Sequence, residues 1–317
     1  MMMKPAYIRA NSVNRALEVV GDRWVLMLLQ QAFSGVRRFE DFQRALGLAR
    51  STLASRLKHL VEHGLMTRRP YDLGESRQEY VLTARGKDLF ATAMMAQRWQ
   101  SEWAEPSVFA PIQLLHRSCG HTMQPLLVCG SCDLPLDARD VDYQDGPGAS
   151  MMARATRRRR RSVAPCSAER DLPVSADLLE VLGDRWTPQV AALAFFGVRR
   201  FEMMRLNLKL ATNILADRLA RLRDLGIFET LPYQERPLRL EYRLTPKGRA
   251  LYPLMIALMD WGDRWFEAPG GPPLLLTHRP CGDALVPRLA CDACAGTLTV
   301  DTVRPSIRTR GRARSSR

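Results

Sequence analysis

Residues Gly35–Gly64 have the sequence GVRRFEDFQRALGLARSTLASRLKHLVEHG, a pattern that predicts two short helices joined by a tight turn. In the second helix Leu53, Leu57 and Leu60 recur at helical spacing, which predicts one apolar face. The opposite face carries short polar and basic side chains, namely Arg50, Ser51, Thr52, Ser55 and Lys58. Such a helix suits a DNA major groove. The alternative is an ordinary amphipathic surface helix with a solvated face, and the rest of the chain has to decide between them.

An internal repeat sets the organisation of the chain. The tetrapeptide Gly21–Trp24 returns at Gly183–Trp186, and Gly35–Glu40 returns as Gly197–Glu202, each 162 residues later. Six further residues recur at the same offset: Tyr80, Leu82, Thr83, Gly86, Trp99 and Trp103. The chain is therefore a tandem duplication of a unit of about 130 residues. We call the two units copy one and copy two.

The pattern of copy one predicts helices, then a hairpin, then a long helix. The predicted helices are Ala16–Val20, Trp24–Leu29, Phe39–Leu46 and Ser51–Glu62, and the hairpin strands are Met66–Tyr71 and Gln78–Leu82. Thr83 is expected to cap a helix that runs to about Trp103. Copy two repeats this order with Thr245 as the cap, and Pro188 is tolerated because it lies in the first turn of a helix. This order is that of a winged helix-turn-helix.

The motifs resemble the HxlR family of bacterial winged-helix transcription regulators. The matching residues of copy one are Gly21–Trp24, Arg38-Phe39, Leu53, Arg56-Leu57, Gly64-Leu65, Tyr80, Leu82-Thr83 and Gly86. Those of copy two are Gly183–Trp186, Arg200-Phe201, Leu215, Arg218-Leu219, Gly226-Ile227, Tyr242, Leu244-Thr245 and Gly248. The resemblance implies DNA binding, with the fourth helix of each copy in the major groove and the wing against the backbone. It also implies dimerisation through terminal helices.

Each copy also carries a motif that is typical of metal ligation. Copy one has His116-x2-Cys119, nine residues, then Cys129-x2-Cys132; copy two has His278-x2-Cys281, nine residues, then Cys291-x2-Cys294. Three thiolates and an imidazole suit a closed structural Zn²⁺ site. We therefore predict one site within each copy, with a short hairpin at Gly120–Val128 and at Gly282–Ala290. Unliganded cytosolic cysteines and an iron–sulfur cluster are the alternatives.

The net charge of +14 is unevenly spread. Arg154 and the run Arg157–Arg161 contribute six charges and the tail Arg304–Arg317 another six, so the rest of the chain is close to neutral. These segments favour a polyanion and are expected to add affinity without sequence preference. The N-terminus lacks an apolar core of signal-peptide length, and no apolar run is long enough to span a bilayer. We therefore expect a cytoplasmic, nucleoid-associated protein with reduced thiols and no membrane partner.

Together these patterns predict a mainly α fold with small β elements. It consists of two winged helix-turn-helix domains, each followed by a small zinc-ribbon-like β module. The predicted ranges, in chain order, are the first winged helix at 1–104, its module at 105–142, a flexible Arg-rich linker at 143–170, the second winged helix at 171–266, its module at 267–303 and a disordered basic tail at 304–317.

The leading functional hypothesis is a sequence-specific regulator of transcription that binds double-stranded DNA, with repression a commoner outcome than activation. The predicted DNA contacts of copy one are Arg38, Arg50, Ser51, Thr52, Ser55, Arg56 and Lys58, with Arg68, Arg69 and Arg77 on the wing. Those of copy two are Arg200, Thr212, Asn213, Arg218 and Arg221, with Arg236 and Arg239 on the wing. Because Asp217 and Ala220 replace Ser55 and Lys58, copy two is expected to bind a different half-site, or to bind weakly.

Two other functional classes stay open at this point. One is a protein-interaction scaffold whose winged helices have lost DNA binding. The other is a zinc hydrolase, which fits poorly because four ligands fill each shell and no catalytic base lies nearby. No other catalytic motif stands out, so we predict that the protein is not an enzyme.

The two copies are expected to pair within one chain. The helices that carry Trp99 and Trp103, and Trp261 and Trp265, would form a pseudo-two-fold contact and give a built-in dimer. Pairing of two chains into a homodimer is the alternative. The sequence assigns no small-molecule effector.

Overall fold

A computed structural model of the chain describes residues 12–70, 78–105, 112–149, 174–184, 186–266 and 270–306. The elements of copy one, in chain order, are α1 (Ser12–Val20), α2 (Arg23–Phe33), α3 (Phe39–Leu46), α4 (Arg50–Glu62), β1 (Met66–Pro70), β2 (Gln78–Leu82), α5 (Ala84–Lys87), α6 (Phe90–Trp103), β3 (Gln113–His116), β4 (Thr122–Met123), β5 (Pro125–Cys129) and β6 (Val141–Asp145). The predicted order of helices and wing is confirmed, except that the long helix is divided into α5 and α6. At the division Leu89 N–H donates to Gly86 O at 3.3 Å, which is a three-residue turn.

Copy two repeats the same order from helices to strands. Its elements are α7 (Ala176–Leu182), α8 (Thr187–Phe195), α9 (Phe201–Leu208), α10 (Thr212–Asp224), β7 (Phe228–Gln234), β8 (Arg239–Leu244), α11 (Pro246–Arg249), α12 (Tyr252–Trp265), β9 (Leu274–His278), β10 (Pro287–Cys291) and β11 (Val303–Ser306).

Side-chain caps explain where several helices begin. Thr83 Oγ1 accepts from Gly86 N–H, and Thr245 Oγ1 accepts from Gly248 N–H, both at 3.1 Å, which confirms the two predicted caps. Asp22 caps α2 by accepting from Trp24 N–H at 3.1 Å. Pro188 lies in the first turn of α8, as predicted, where a missing N–H costs nothing.

The two copies pack against each other through their long C-terminal helices. Helix α12 contacts α6 and also α1, and Trp99 and Trp261 are almost completely buried. Trp99 Nε1–H donates to Lys247 O at 3.1 Å, and Trp261 Nε1–H donates to Arg85 O at 3.0 Å. Residues 85 and 247 are separated by the 162-residue offset, so these two bonds form a pseudo-symmetric pair. The predicted contact between the tryptophan helices is therefore present within one chain.

The same contact is asymmetric in its polar groups. Asp88 of copy one accepts from Arg264 Nη1 at 2.6 and 2.8 Å and from Trp265 Nε1 at 2.7 Å. In the reciprocal position the residue equivalent to Asp88 is Ala250. Accordingly, the buried Nε1 of Trp103 finds no acceptor in the part of the chain that the structure describes. The pseudo-two-fold symmetry of the contact is therefore broken at Asp88 and Ala250.

Helices α1 and α12 approach closely because one residue of α12 lacks a side chain. A Cβ placed on Gly262 would lie 2.4 Å from the backbone oxygen of Ser12. The Ser12 hydroxyl also donates to the Asp263 carboxylate of α12. The N-terminal helix of copy one is thus fastened to the C-terminal helix of copy two.

The strands that follow the long helices pair across the copies. Strand β5 is antiparallel to β10, β3 to β11 and β6 to β9. Strand β4 pairs with β3 inside copy one. The prediction of a self-contained hairpin at Gly120–Val128 and Gly282–Ala290 is therefore wrong, because the second strand of each segment pairs with its counterpart from the other copy.

Two predicted range boundaries also fall inside strands. Strand β6 extends to Asp145, so the first residues of the predicted linker 143–170 are ordered against β9. Strand β11 runs through Ser306, so the predicted tail begins within a strand. The Arg-rich run of the linker and residues 307–317 of the tail lie outside the described residues.

Candidate nucleic-acid interface and metal centres

Helices α4 and α10 have the same buried and exposed faces. Each helix buries three leucines, and none of the six exposes more than 1% of its surface. They are Leu53, Leu57 and Leu60 of α4 and their counterparts Leu215, Leu219 and Leu222 of α10. The predicted apolar face is thereby confirmed. The opposite face of each helix is open to solvent, so its side chains are available to a ligand.

An ion pair fixes each of these helices to the start of the second helix of its copy. Arg56 Nε lies 3.1 Å from Asp22 Oδ1, and Arg218 Nε lies 2.7 Å from Asp184 Oδ2. Both arginines are among the predicted DNA contacts, and each also orients its helix through this ion pair. Both aspartates belong to the repeated Gly-Asp-Arg-Trp motif, and this recurrence is the sequence signal that could have indicated their role.

The front of α4 is basic. Arg50, Ser51, Ser55 and Lys58 are exposed and Thr52 is half-buried. The Arg50 guanidinium lies over the Phe39 ring, 5.1 Å from its centroid, which holds it beside the N-terminal turn of α4. Lys58 lies 3.7 Å from Glu62 in an exposed pair of little energetic weight.

The front of α10 is not basic. Thr212, Asn213 and Asp217 are exposed, and Ile214 has 37% of its surface exposed. Asp217 pairs with Arg218 at 2.5 Å and with Arg221 at 3.3 Å, and Arg221 also pairs with Glu180 at 3.1 Å. The arginines predicted as contacts on this helix are therefore largely neutralised by neighbouring carboxylates.

The wings are flanked by further exposed arginines. On copy one Arg68 and Arg69 of β1 are exposed, whereas Arg77 lies outside the described residues. On copy two Arg236 and Arg239 are exposed at the turn between β7 and β8.

A third short segment extends each wing. Arg38 bridges to Glu79 and Arg200 bridges to Glu241, so the residues before α3 and α9 lie alongside β2 and β8. Both arginines are exposed, and Arg200 lies over the Tyr233 ring at 4.4 Å. In copy one an open cleft of about 590 Å³ lies between Arg37, Arg38, Arg44 and the wing. This arrangement places positive charge between helix α3 and the wing.

The eight predicted metal ligands form two clusters, but each cluster takes two ligands from each copy. One holds His116 and Cys119 with Cys291 and Cys294, and the other holds Cys129 and Cys132 with His278 and Cys281. Our prediction of one complete site within each copy is therefore wrong in its partition. The physical reason is the cross-copy pairing of β5 with β10, which carries each Cys-x2-Cys turn to the other copy's histidine.

The spacing of the donor atoms fits a tetrahedral ion. His116 Nδ1 lies 3.4 Å from both Cys119 Sγ and Cys294 Sγ, and Cys129 Sγ lies 3.9 Å from Cys281 Sγ. A tetrahedral Zn²⁺ with its usual bond lengths places N and S about 3.5 Å apart and two S atoms about 3.8 Å apart. Both imidazoles are almost completely buried, and neither Nε2 finds a partner within the described ranges. Each cluster can therefore hold one metal ion.

The thiols of one cluster differ in acidity. The backbone N–H of Gly296 lowers the pKa of the Cys294 thiol, whereas burial raises the pKa of the Cys291 thiol. Thiols this close together cannot all ionise unless a cation lies between them, because the thiolates repel one another. The donor set is therefore one that a divalent cation would stabilise.

One protein-family model matches both copies of the chain. The family model described as HxlR-like helix-turn-helix matches residues 19–108 and 181–269. An HTH-type transcriptional regulator of Mycobacterium tuberculosis is 47% identical over 137 residues, which is 43% of this chain and 87% of that protein. The regulator YvaP of Bacillus subtilis is 33% identical over 94 residues, 29% of this chain and 87% of that protein.

Among solved structures, a crystal structure of the candidate transcription factor PA1607 is 37% identical, with a TM-score of 0.36. The matched region covers 40% of this chain and 88% of the PA1607 chain. Nearly the whole length of each of these proteins thus matches less than half of this one. Among the described residues, no helix is both long and apolar enough to cross a bilayer.

Proposed function

The chain belongs to the HxlR-like helix-turn-helix family, and from this premise we propose that it regulates transcription by placing α4 and α10 in the major groove of a single operator. The observation that carries the proposal is the pair of equivalent helices, each with a buried leucine face, an open polar front and an Asp–Arg pair that fixes its orientation. Repression is the proposed outcome, since a bound protein blocks access to the DNA it covers.

The proposed base contacts of copy one are Arg50, Ser51, Thr52 and Ser55, because they occupy the N-terminal half of the exposed front. Lys58, Arg68 and Arg69 are assigned to phosphates. On copy two Thr212 and Asn213 take the base-reading positions, and Arg236 and Arg239 are assigned to phosphates. Arg38 and Arg200, between the third helix and the wing, are assigned to the backbone as well.

We assign the pairing of the copies a functional role. Since α6 and α12 already pack together within one chain, a second chain is not needed to supply the second recognition helix. The proposed operator is an imperfect palindrome of about 20 base pairs with half-site centres roughly one helical turn apart.

The metal clusters are assigned a structural role with Zn²⁺ as the ion. Four protein ligands fill a tetrahedral shell, so no position is left for a substrate or a water. The bound ion would supply a cross-link between the two copies, and the backbone amides of the Cys-x2-Cys turns would stabilise the thiolates. This filled shell disfavours a zinc hydrolase. An interaction scaffold without DNA binding remains the competing function.

A gel-shift assay on fragments of the source genome, followed by footprinting, tests the proposal. The wild-type chain should bind discrete sites, and mass measurement of the complex should give one chain per operator. Arg50→Ala should weaken binding by about 5- to 150-fold, the range for loss of a bidentate base contact. Arg117→Ala, which removes an exposed arginine of the strand modules, is the matched control and should leave binding unchanged. Absence of any preferred fragment would support the scaffold instead.

A further inference from the structure

The two recognition surfaces can be compared position by position. The ion pairs Asp22–Arg56 and Asp184–Arg218 hold α4 and α10 in the same way, and both helices are thirteen residues long. A residue of copy one and the residue 162 positions later therefore occupy equivalent places. Where the two side chains of such a pair differ, the two copies present different chemical groups to DNA.

Copy two lacks several cations that copy one carries on this surface. Five exposed basic residues of copy one, on α3, α4 and β1, are replaced by uncharged residues: Arg44 by Leu206, Arg50 by Thr212, Lys58 by Ala220, Arg68 by Thr230 and Arg69 by Leu231. Copy two keeps exposed cations around the front of α10, namely Arg199 and Arg200 before α9, Lys209 before α10, Arg223 at the end of α10 and Arg236 on the wing. The cations of copy two therefore lie around the front of α10 and not at its N-terminal turn.

Asp217 reinforces this difference. It is exposed at the position of Ser55, and it lies 2.5 Å from Arg218 and 3.3 Å from Arg221. The carboxylate partly neutralises Arg218 and Arg221 of this helix. The front of α10 itself therefore offers less positive charge to DNA than the front of α4, which carries Arg50.

The uncharged side chains of α10 are nevertheless well placed to read bases. Asn213 and Ile214 are the second and third residues of the helix, and both are exposed. Residues at the start of a recognition helix are those that reach base edges. An asparagine amide bonds adenine through N6 and N7, and an aliphatic side chain packs against the 5-methyl group of thymine.

The first residue of α4 offers a different contact. Arg50, held beside the helix start by the Phe39 ring, presents a guanidinium that matches O6 and N7 of guanine. We propose that the two copies read different half-sites: copy one reads guanine through Arg50, whereas copy two reads an A·T-containing half-site through Asn213 and Ile214. Their phosphate contacts also differ, since Arg68 and Arg69 of copy one have uncharged counterparts in copy two. This inference rests on the proposed function, and it gives the operator a direction, because the two half-sites are not interchangeable.

The first experiment selects duplexes from a random library with the full chain and aligns the selected sites. The expected site joins one half-site with a required guanine to one with required A·T pairs. Failure to select any sequence would overturn the proposed function and the inference with it. Selection of two identical half-sites would overturn the inference alone.

The second experiment alters single base atoms in the selected operator. Replacing thymine by uracil removes only the methyl group and should weaken wild-type binding about fourfold, the effect of one methyl-sized contact. The same replacement should not affect Ile214→Ala. In the same half-site 7-deazaadenine removes the N7 acceptor and should weaken wild type about 2- to 12-fold, the effect of one hydrogen bond, and should not weaken Asn213→Ala further. Equal sensitivity of wild type and variant to either base analogue would overturn the assignment.

A reciprocal pair of variants tests whether the two copies differ in phosphate binding at Arg69 and its counterpart Leu231. Arg69→Leu gives copy one the residue of copy two, and Leu231→Arg does the reverse. The log–log salt slope of binding should fall by about 0.9 in the first and rise by about 0.9 in the second, for one phosphate each. If Asn213→Ala and Ile214→Ala leave both the affinity and the selected sequence of the folded chain unchanged, copy two does not read bases and its surface serves another partner.

Discussion

Two double substitutions test how the eight metal ligands are divided. Cys119 and Cys129 belong to copy one but lie in different clusters, whereas Cys129 and Cys281 come from different copies and share one cluster. Cys119→Ser/Cys129→Ser should therefore remove a thiolate from both sites. Cys129→Ser/Cys281→Ser should remove two thiolates from one site and leave the other intact.

The magnitude follows from this partition. With two ions in the wild-type chain, the first variant should retain none and the second should retain one. If each copy held its own complete site, the numbers would be exchanged. Structural Zn²⁺ contributes roughly 10–16 kcal/mol in small zinc domains, which is comparable with the roughly 5–15 kcal/mol stability of a whole domain. The first variant should therefore melt at a lower temperature than the second.

The assay is elemental analysis of the purified full chain, expressed per mole of protein, together with a thermal melt. Ser131→Ala is a suitable control, because Ser131 is an exposed residue within a Cys-x2-Cys turn and offers no thiolate. One ion retained by Cys119→Ser/Cys129→Ser, and none by Cys129→Ser/Cys281→Ser, would refute the cross-copy arrangement. A wild-type chain without metal would refute the metal sites altogether.

Three further predictions concern the interface and the tail. In urea unfolding, a double-mutant cycle on Asp88→Ala and Arg264→Ala should give a coupling free energy of about 0.5–3 kcal/mol. The control is the same cycle on the exposed pair Asp137 and Arg139, whose coupling should be smaller because solvent screens it. Equal couplings would contradict the prediction. Burial raises the pKa of Asp260 to about 6, so the folded state binds this proton more tightly than the unfolded state, and stability from this group falls as pH rises from about 4 through 6. Asp260→Asn should therefore raise the melting temperature at pH 7.5 and change it little at pH 4, and a variant that gains nothing at pH 7.5 would count against this. Deleting residues 307–317 removes five arginines and should flatten the salt slope of DNA binding without changing the preferred sequence, whereas an altered preference would assign the tail a role in recognition.

The sequence predicted the winged helices well because their signals are local. The leucine spacing of α4, the threonine cap at Thr83 and the Gly-Asp-Arg-Trp repeat all act within a few residues along the chain. It could not predict the pairing of Arg56 with Asp22, since this contact joins residues 34 positions apart and depends on how α4 packs on α2. The assignment of Arg56 to DNA stays a prediction, because an ion pair with Asp22 does not decide it.

The metal sites show where sequence spacing stops being informative. Two His-x2-Cys turns and two Cys-x2-Cys turns make two tetrahedral sites whether the turns combine within a copy or between copies. The packing of α6 on α12 and the pairing of β5 with β10 decide which turns combine. Both contacts join residues more than 150 positions apart in the sequence. Tyr143 is a similar case: it was assigned to a flexible linker, yet its hydroxyl donates to Phe196 O at 3.1 Å and its ring packs edge-on against Phe196.

The exchange of strands between the copies has a consequence during synthesis. The first His-x2-Cys turn ends at Cys119, and its cluster partners Cys291 and Cys294 emerge from the ribosome about 170 residues later. At roughly 5–20 residues per second, this delay lasts about 10–35 seconds. During that time the edge of β3 that pairs with β11 is unpaired, and the copy-one ligands lack the copy-two ligands that complete each cluster.

A nascent chain in this state can pair with the equivalent strands of a neighbouring nascent chain, because the turns of copy one and copy two have the same spacing. Chains translated close together on one messenger are the most exposed to such an error. The unequal polar contacts at Asp88 and Ala250 act against it, since two first copies would bring Glu102 to the place where Arg264 meets Asp88. The carboxylates of Asp88 and Glu102 would then face each other. Their repulsion disfavours pairing of two first copies and favours pairing of copy one with copy two of the same chain.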